Sequence, residues 1–472
     1  MPASRFGTPW NIRHWNHVYA GQCLEALVQG TPEGEAGVLI PLLAESWELA
    51  PDQSYYIFNL RQGVKFHDGT DFNAQAAKWN FDKWIPLERP FMESVESVEV
   101  IDDYTIKVNL TTWDSIWLND LGRHLVMISP TAYEKNGEDW MDEHAIGTGP
   151  FKIKEFVRNQ LVVYEKNEDY WNKGLPYLDG LDVLQIREPM TAMAAMRKGE
   201  VFALNEVPMM IASELRETGD FDVQWTPALH EVIVMNSTNP ESVWYDKRMR
   251  EAMEYAVDKE KICQALGYGF LEPVNEIVHS IHLAADPGTV PRAYDPDKAR
   301  QLVAEAGYSE GVKVKLTTNA DLPQDLYVAL QEDLAAVGIQ VDLNPVTGAA
   351  LNQMSFEPAP GSDLRIESQR GGPGNPVGSA RETLSEKSVY LPGLKRPEGF
   401  QQLLEQALQE PDTDKQVELL VEMEKLAYED MMFVPLWNKP IIAVISPVIQ
   451  DANFFYGRGP NVRLDRAWLA EK

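Results

Sequence analysis

The sequence is short of cysteine, of positive charge and of long apolar runs, and it lacks the common catalytic signatures. Only Cys23 and Cys263 occur in 472 residues. They stand far apart and share no metal-ligand spacing, so two buried thiols are expected rather than a disulfide. No window reaches the roughly 18 to 20 apolar residues that a membrane helix needs. Residues 1–20 show no charged-then-apolar leader, so an export signal is not visible in this chain. Lys and Arg number 42 against 72 Asp and Glu, a formal charge of −30. That balance repels nucleic acid and anionic membrane surfaces where no basic patch offsets it, and none is visible. Neither nucleic acid nor a lipid bilayer is therefore an expected partner.

Chemistry is as scarce as positive charge. There is no Gly-x-Ser-x-Gly elbow, no Walker loop, no Gly-x-Gly-x-x-Gly and no His-Glu-x-x-His. The Gly-rich stretch "RGGPGNPVG" lacks both the spacing and the lysine of a phosphate loop and reads as a plain loop. Neither catalytic residues nor a cofactor are expected. Two histidine pairs, His14 with His17 and His279 with His282, have a spacing that sets two imidazoles on one side of a helical turn. Neither has a third ligand nearby, so they are weak metal candidates, and no metal site is assigned.

What is present is the material of a folded chain. Apolar residues make up 44% and aromatics 10%, with 13 Trp, which excludes disorder despite the charge. The length calls for two or three subdomains. Acidic side chains spread along helical stretches such as "QQLLEQALQEPDTDKQVELLVEMEKLAYED" read as a solvated outer face.

In the first half, "YYIFNL" (55–60) and Val64–Phe66 read as strands, broken at Gln62-Gly63 and closed by Asp68-Gly69. Asn73 caps a helix with Ala77, Phe81 and Trp84 on one face. "HAIGTGPFKIKEF" (144–156) is the most heavily punctuated stretch. Gly147 and Gly149 are expected to supply backbone freedom and Pro150 a stop, before "FKIKEF" enters a hairpin with "LVVYEK".

After "HEVIVMNSTNP" the pattern turns helical, with Met249, Ala252, Met253, Ala256 and Val257 forming a stripe. Asp295, Pro296 and Gly307 bracket a further helix. "VKVKLTT", a helix over 324–337 and "IQVDL" make a β-α-β unit, which crosses over right-handed and builds a parallel sheet. Two amphipathic helices follow, one through Phe400 and Leu404 and one through Leu420 and Met423, and they precede the strand "MMFVPLW".

Six of these segments together, "LAESWELAPDQSYYIFNLRQGVKFHDGTDFNAQAAKWNFDKW", "IGTGPFKIKEF", "KNEDYW", "VMNSTNPESVWYDKRMREAMEYAVDKEKI", "YDPDKARQLVAEAGY" and "MFVPLW", resemble the family 5 extracellular solute-binding proteins. These are the dipeptide, oligopeptide and nickel-chelate receptors of ABC importers. The resemblance runs from about Leu24 to about Gln450, in the family's order.

It implies an α/β, periplasmic-binding-protein-like fold of type II, with two lobes joined by a hinge and an extra subdomain inserted in the first. Lobe I would take residues 1–232 and 438–472, with the insertion at about 47–171. Lobe II would take 233–437, and the hinge strands would lie near 232–236 and 433–437. It also implies a non-enzymatic, exported receptor, periplasmic or anchored to the cell surface as a lipoprotein. Such a receptor is a monomer that encloses a small polar solute between its lobes and delivers it to the membrane permease subunits of the importer.

The resemblance also points to site residues. The family carries an aromatic-Gly pair and then an acid before Pro on a loop of the second lobe. Here "QRGGPGNP" sets Arg370 in the aromatic's place and Asn375 in the acid's, with Gly372 between them. A buried ammonium without a carboxylate partner is costly, whereas a guanidinium favours a carboxylate or phosphate. A ligand with an anionic or strongly polar acceptor is thus expected over a generic peptide with a free amine. "WNIRHWNHVYAGQ" would run along the cleft floor and offer Trp15, His17, Tyr19 and Gln22. Asn236 and Trp437 stand at the hinge, and Tyr456 and Arg458 approach it from "FFYGRGP". The alternative, a receptor for nickel or another metal chelate, is weakened because residues 377–396 hold no His and Val126 replaces an arginine of that branch. Arg89 and Arg123 remain as substitutes. An enzyme on the same scaffold is a further alternative.

Overall fold

The computed structural model describes residues 7–11, 20–30, 38–87, 89–277, 292–320, 322–369, 376–388, 390–456 and 461–470. The chain divides into two compact units, one of Met1–Gln224 with Ile442–Lys472 and one of Trp225–Ile441. It passes between them twice, each time inside a strand, first Asp222–Met235 and then Val434–Ile445. These are called the first and second crossing strands below.

The first unit is built on short-range antiparallel pairing. Tyr55–Leu60 alternates half-buried or exposed side chains with buried ones and pairs with both Ala44–Leu49 and Thr105–Leu110, and Val95–Asp102 completes a four-stranded sheet. Helix Ala74–Trp84 lies on this sheet, capped where expected by Asn73, whose side chain accepts from Ala76 N. Its buried face of Ala77, Phe81 and Trp84 joins Phe58 and Trp117 in one core. Tyr56 stacks on Trp117 with ring centroids 5.1 Å apart.

Val64–Phe66 does not extend into a strand. Lys65 makes a single bridge to Asp71, and Phe66 N donates to Thr70 O across the Asp68-Gly69 turn. The turn follows too closely for a ladder to form, so Val64 and Phe66 serve as buried plugs.

A second core in this unit gathers Cys23, Leu24, Ile128, Phe151 and Tyr164. It lies against the expected hairpin, Phe151–Val157 with Leu161–Lys166, which gains a third strand, Gly180–Leu184. The glycines ahead of the hairpin have a reason other than the one the sequence suggested. Neither Gly147 nor Gly149 has a positive φ. A Cβ on Gly147 would meet Cys23 O at 2.3 Å, and one on Gly149 would meet Gln22 O at 2.7 Å. Two backbones are pressed together there, and Gly149 N donates to Cys23 O at 2.9 Å.

The second unit contains the β-α-β crossover. Val312–Asn319 and Ile339–Val346 pair in parallel over eight residues, joined through helix Asp325–Ala336. From the edge inward the strands run Ile339–Val346, Val312–Asn319, Leu364–Gln369, then the first and second crossing strands. Helix Lys247–Ala256 packs on Pro296–Glu305, which Asp295 caps with Pro296 at its first position. Phe400–Gln409 packs on Thr413–Asp430. Cys23 and Cys263 are free, buried thiols, and burial pushes both above the usual thiol range, Cys263 to about 12.

Candidate functional site

Several residues singled out by the sequence, Trp15, His17, Tyr19, Arg370, Gly372, Asn375 and Arg458, lie outside the described residues, as do His14, His279 and His282. The structure shows what the chain adjoining those segments is fastened to.

In the first unit the fastening point is a buried acid that sequence reasoning passed over. Glu25 is 1% exposed. Its Oε2 accepts from Thr148 Oγ1 at 2.9 Å and Trp171 Nε1 at 2.8 Å, and its Oε1 accepts from Tyr170 OH at 2.7 Å. Burial raises its pKa above the ordinary carboxylate value, against the pull of the Arg463 guanidinium and the three donors. Arg463 is itself paired with Asp465 at 3.2 Å and donates to Gln29 Oε1.

With both oxygens taken by donors, Glu25 is suited to holding segments together and unsuited to abstracting a proton. Thr148 belongs to the Gly-Thr-Gly turn, so that turn carries a buried hydrogen bond as well as its bend. A lone Glu inside the apolar run "CLEALV" was the signal that could have flagged this group.

Gln22 sits beside this network, 2% exposed, with its Nε2 donating to Val462 O at 2.8 Å. That bond ties the end of the "WNIRHWNHVYAGQ" segment to the strand Asn461–Arg463, which pairs with Asn453–Tyr456. Tyr456 closes the latter strand. Arg89 and Arg123 stand on neighbouring elements. Arg89 is exposed at the start of the turn Pro90–Met92, which packs on helix Trp117–His124. There the Phe91 ring lies 5.1 Å from His124.

In the second unit, Asn236 and Trp437 are committed inside the fold. Asn236 Nδ2 donates to Ala359 O at 3.0 Å, and its Oδ1 accepts from Thr238 Oγ1. Gly393, at φ +83, lies close against it. Trp437 is fully buried, and its Nε1 donates to Glu231 Oε2 at 2.8 Å. On the strand that leads to "QRGGPGNP", Arg365 and Glu367 form a buried pair at 3.3 Å, and Ser355 donates to the same carboxylate. Desolvation lowers the Arg365 pKa, with Glu367 opposing it. Among the described residues no group of three or more His, Cys, Asp or Glu could hold a metal ion.

Two units joined by paired crossing strands, one carrying a parallel crossover, define the two-lobed α/β periplasmic binding proteins. Solved structures agree: the periplasmic binding protein DppA of Helicobacter pylori, in complex with peptide STSA, matches with a TM-score of 0.85 at 22% identity, over 99% of this chain and 96% of that one. NikA of Brucella suis, in complex with Fe(III)-EDTA, matches with a TM-score of 0.85 at 22% identity, over 96% and 95%. Residues 38–378 match the bacterial extracellular solute-binding proteins, family 5 middle, and the chain belongs to that family. The glutathione-binding protein GsiB of Pectobacterium atrosepticum is 31% identical over 319 residues, 65% of this chain and 60% of that protein. The match thus spans less than two thirds of that relative's length. No helix among the described residues is long and apolar enough to cross a membrane.

Proposed function

We propose that this protein is the solute-capturing component of an ABC importer and that its solute is a small polar molecule with an anionic group. The observation that carries the reading is the family match over residues 38–378, in a chain whose curated relatives include glutathione-binding proteins. Glutathione has two carboxylates, which suits the replacement of the family's aromatic and acid by Arg370 and Asn375. The proposed contacts are those two residues with Gly372, the Trp15, His17, Tyr19 and Gln22 segment, Arg89 and Arg123, and Tyr456 and Arg458; Asn236 and Trp437, whose side chains are committed inside the fold, are proposed as hinge residues. The proposed lobes are residues 1–232 with 438–472, and 233–437, with an insertion at about 47–171.

Capture follows from differential affinity: a solute that binds the closed form more tightly than the open one shifts the population toward closure. Closure, read by the importer's permease subunits, is the output. The protein works outside the cytoplasmic membrane as a monomer, and it returns its solute chemically unchanged.

Calorimetry with glutathione, a dipeptide and a nickel chelate tests the reading. The expected result is saturable binding of glutathione, with the dipeptide at least about tenfold weaker. Arg370→Ala is expected to weaken binding by at least about 1.5 kcal/mol, roughly tenfold. Unchanged affinity removes Arg370 from the site. Stoichiometric nickel in the purified protein would favour the metal-chelate receptor instead, and conversion of the bound solute, followed by mass spectrometry, would favour an enzyme.

A further inference from the structure

The two crossing strands are the only covalent route between the units, so any change in the units' arrangement must be absorbed as twist or bend in those strands. Their sequences are apolar for most of their length. In "HEVIVM" and "VPLWNKPIIAVI" the polar interruptions fall at His230, Glu231, Asn438 and Lys439.

Glu231 is 3% exposed and Trp437 is fully buried, and the indole N–H of one strand reaches the carboxylate of the other at 2.8 Å. Both belong to the second unit, a few residues from where the chain leaves it. Glu231 has no ion-pair partner among the described residues. Across the sheet it stands in register with Ser368. Tyr327, 1% exposed on helix Asp325–Ala336, feels its charge, although burial is the larger cause of that tyrosine's raised pKa. Beside Trp437, Asn438 is 9% exposed and its Oδ1 has no hydrogen-bond partner among the described residues.

A buried acid held, among the described residues, by a single neutral donor is an expensive way to join two strands that backbone bonds already join. An apolar pair of the same size would pack at lower cost. What the polar pair adds is direction, because a hydrogen bond weakens steeply once its angle departs from linear, whereas apolar contact tolerates sliding. We infer that Glu231 is a positioning residue. Its hydrogen bond to Trp437 latches the two crossing strands in one relative twist and thereby sets the open–closed balance of the receptor. The inference rests on the capture reading above, but it concerns residues that need not touch the solute.

The test compares Glu231→Gln, which keeps an acceptor oxygen for the indole, with Glu231→Ala and Trp437→Phe, which remove the bond from either side. Ligand-free protein is examined by hydrogen exchange and small-angle scattering, and glutathione is the probe for binding. Exchange of the 231–235 and 436–438 amides is expected to quicken at least tenfold in the two truncations. Their ligand-free radius of gyration should shift, while Glu231→Gln stays within twofold and unshifted. Where glutathione binds, its affinity should change at least threefold in either truncation and no further in the double variant, because one bond is lost in every case.

Fast exchange with unchanged scattering would reduce the pair to a packing detail and overturn the inference, as would additive effects on affinity. If glutathione leaves the wild type unmoved, the proposed solute falls, while the ligand-free comparison still decides the latch. Should Glu231→Ala fail to fold, Glu231→Asp, which withdraws the carboxylate by one methylene, takes its place with the same expected results.

Discussion

His67 shows how much a single side chain can be asked to do. Its backbone N–H donates to Gly147 O, and its ring Nε2 lies 3.0 Å from Gly149 O. A carbonyl oxygen only accepts, so the neutral ring must carry its proton on Nε2. Burial is the main cause that holds the imidazole down to about 4 from the ordinary 6.5. The unfolded chain therefore takes up a proton between those two values that the folded chain refuses. Stability from this group is complete above pH about 6.5, is lost as the pH falls toward 4, and changes no further below that. The loss expected from the shift is at most about 3 kcal/mol. Denaturant titrations from pH 7 to pH 4 should show a fall in stability that His67→Gln flattens, and a parallel slope in that variant would remove His67 as its source.

At the scale of elements, Arg250 carries the clearest energetic claim. It lies on helix Lys247–Ala256, is 1% exposed, and donates to Trp244 O, Tyr245 O, Asp430 O and Met431 O as well as to the Asp430 carboxylate at 2.9 Å. It thus ties its own helix to the end of Thr413–Asp430, where Met431 adopts a left-handed turn. Arg250→Ala leaves those buried acceptors unpaired, and urea unfolding should show a loss of about 3 kcal/mol or more. None of this is legible in "KRMREAMEYA", where Arg250 looks like any polar residue between apolar stripes.

Periodicity did reveal the helix itself, along with the Asn73 cap, the 151–166 hairpin and the β-α-β crossover, because each depends on neighbours in sequence. Glu25, Glu231 and Arg250 are different: each also has partners about 120 to 440 residues away, and, the lone acid in "CLEALV" apart, nothing local marks them. Gly147 and Gly149 fall between the two cases. Their position was legible, but the close backbone that requires them, at Gln22 and Cys23, was not.

For the molecule as a whole, the charge of −30 sets a condition on stability. Like charges repel across a compact surface, and salt screens that repulsion beyond a Debye length of about 10 Å at 0.1 M. Raising sodium chloride from about 20 mM to about 200 mM should therefore raise the melting temperature, and a fall would mean that local ion pairs outweigh the net charge.

Chain order adds a temporal constraint. The second unit, Trp225–Ile441, is one uninterrupted stretch, whereas the first is assembled from two pieces separated by it. Strand Ala203–Asn205 finds its partner only at Ala443–Ile445, and the amide of Gln22 waits for Val462. A ribosome emitting this polypeptide can release a finished second half while the first is still missing its closing stitches. The first half thus stays open longest during biogenesis, which makes it the portion most exposed to chaperones and proteases.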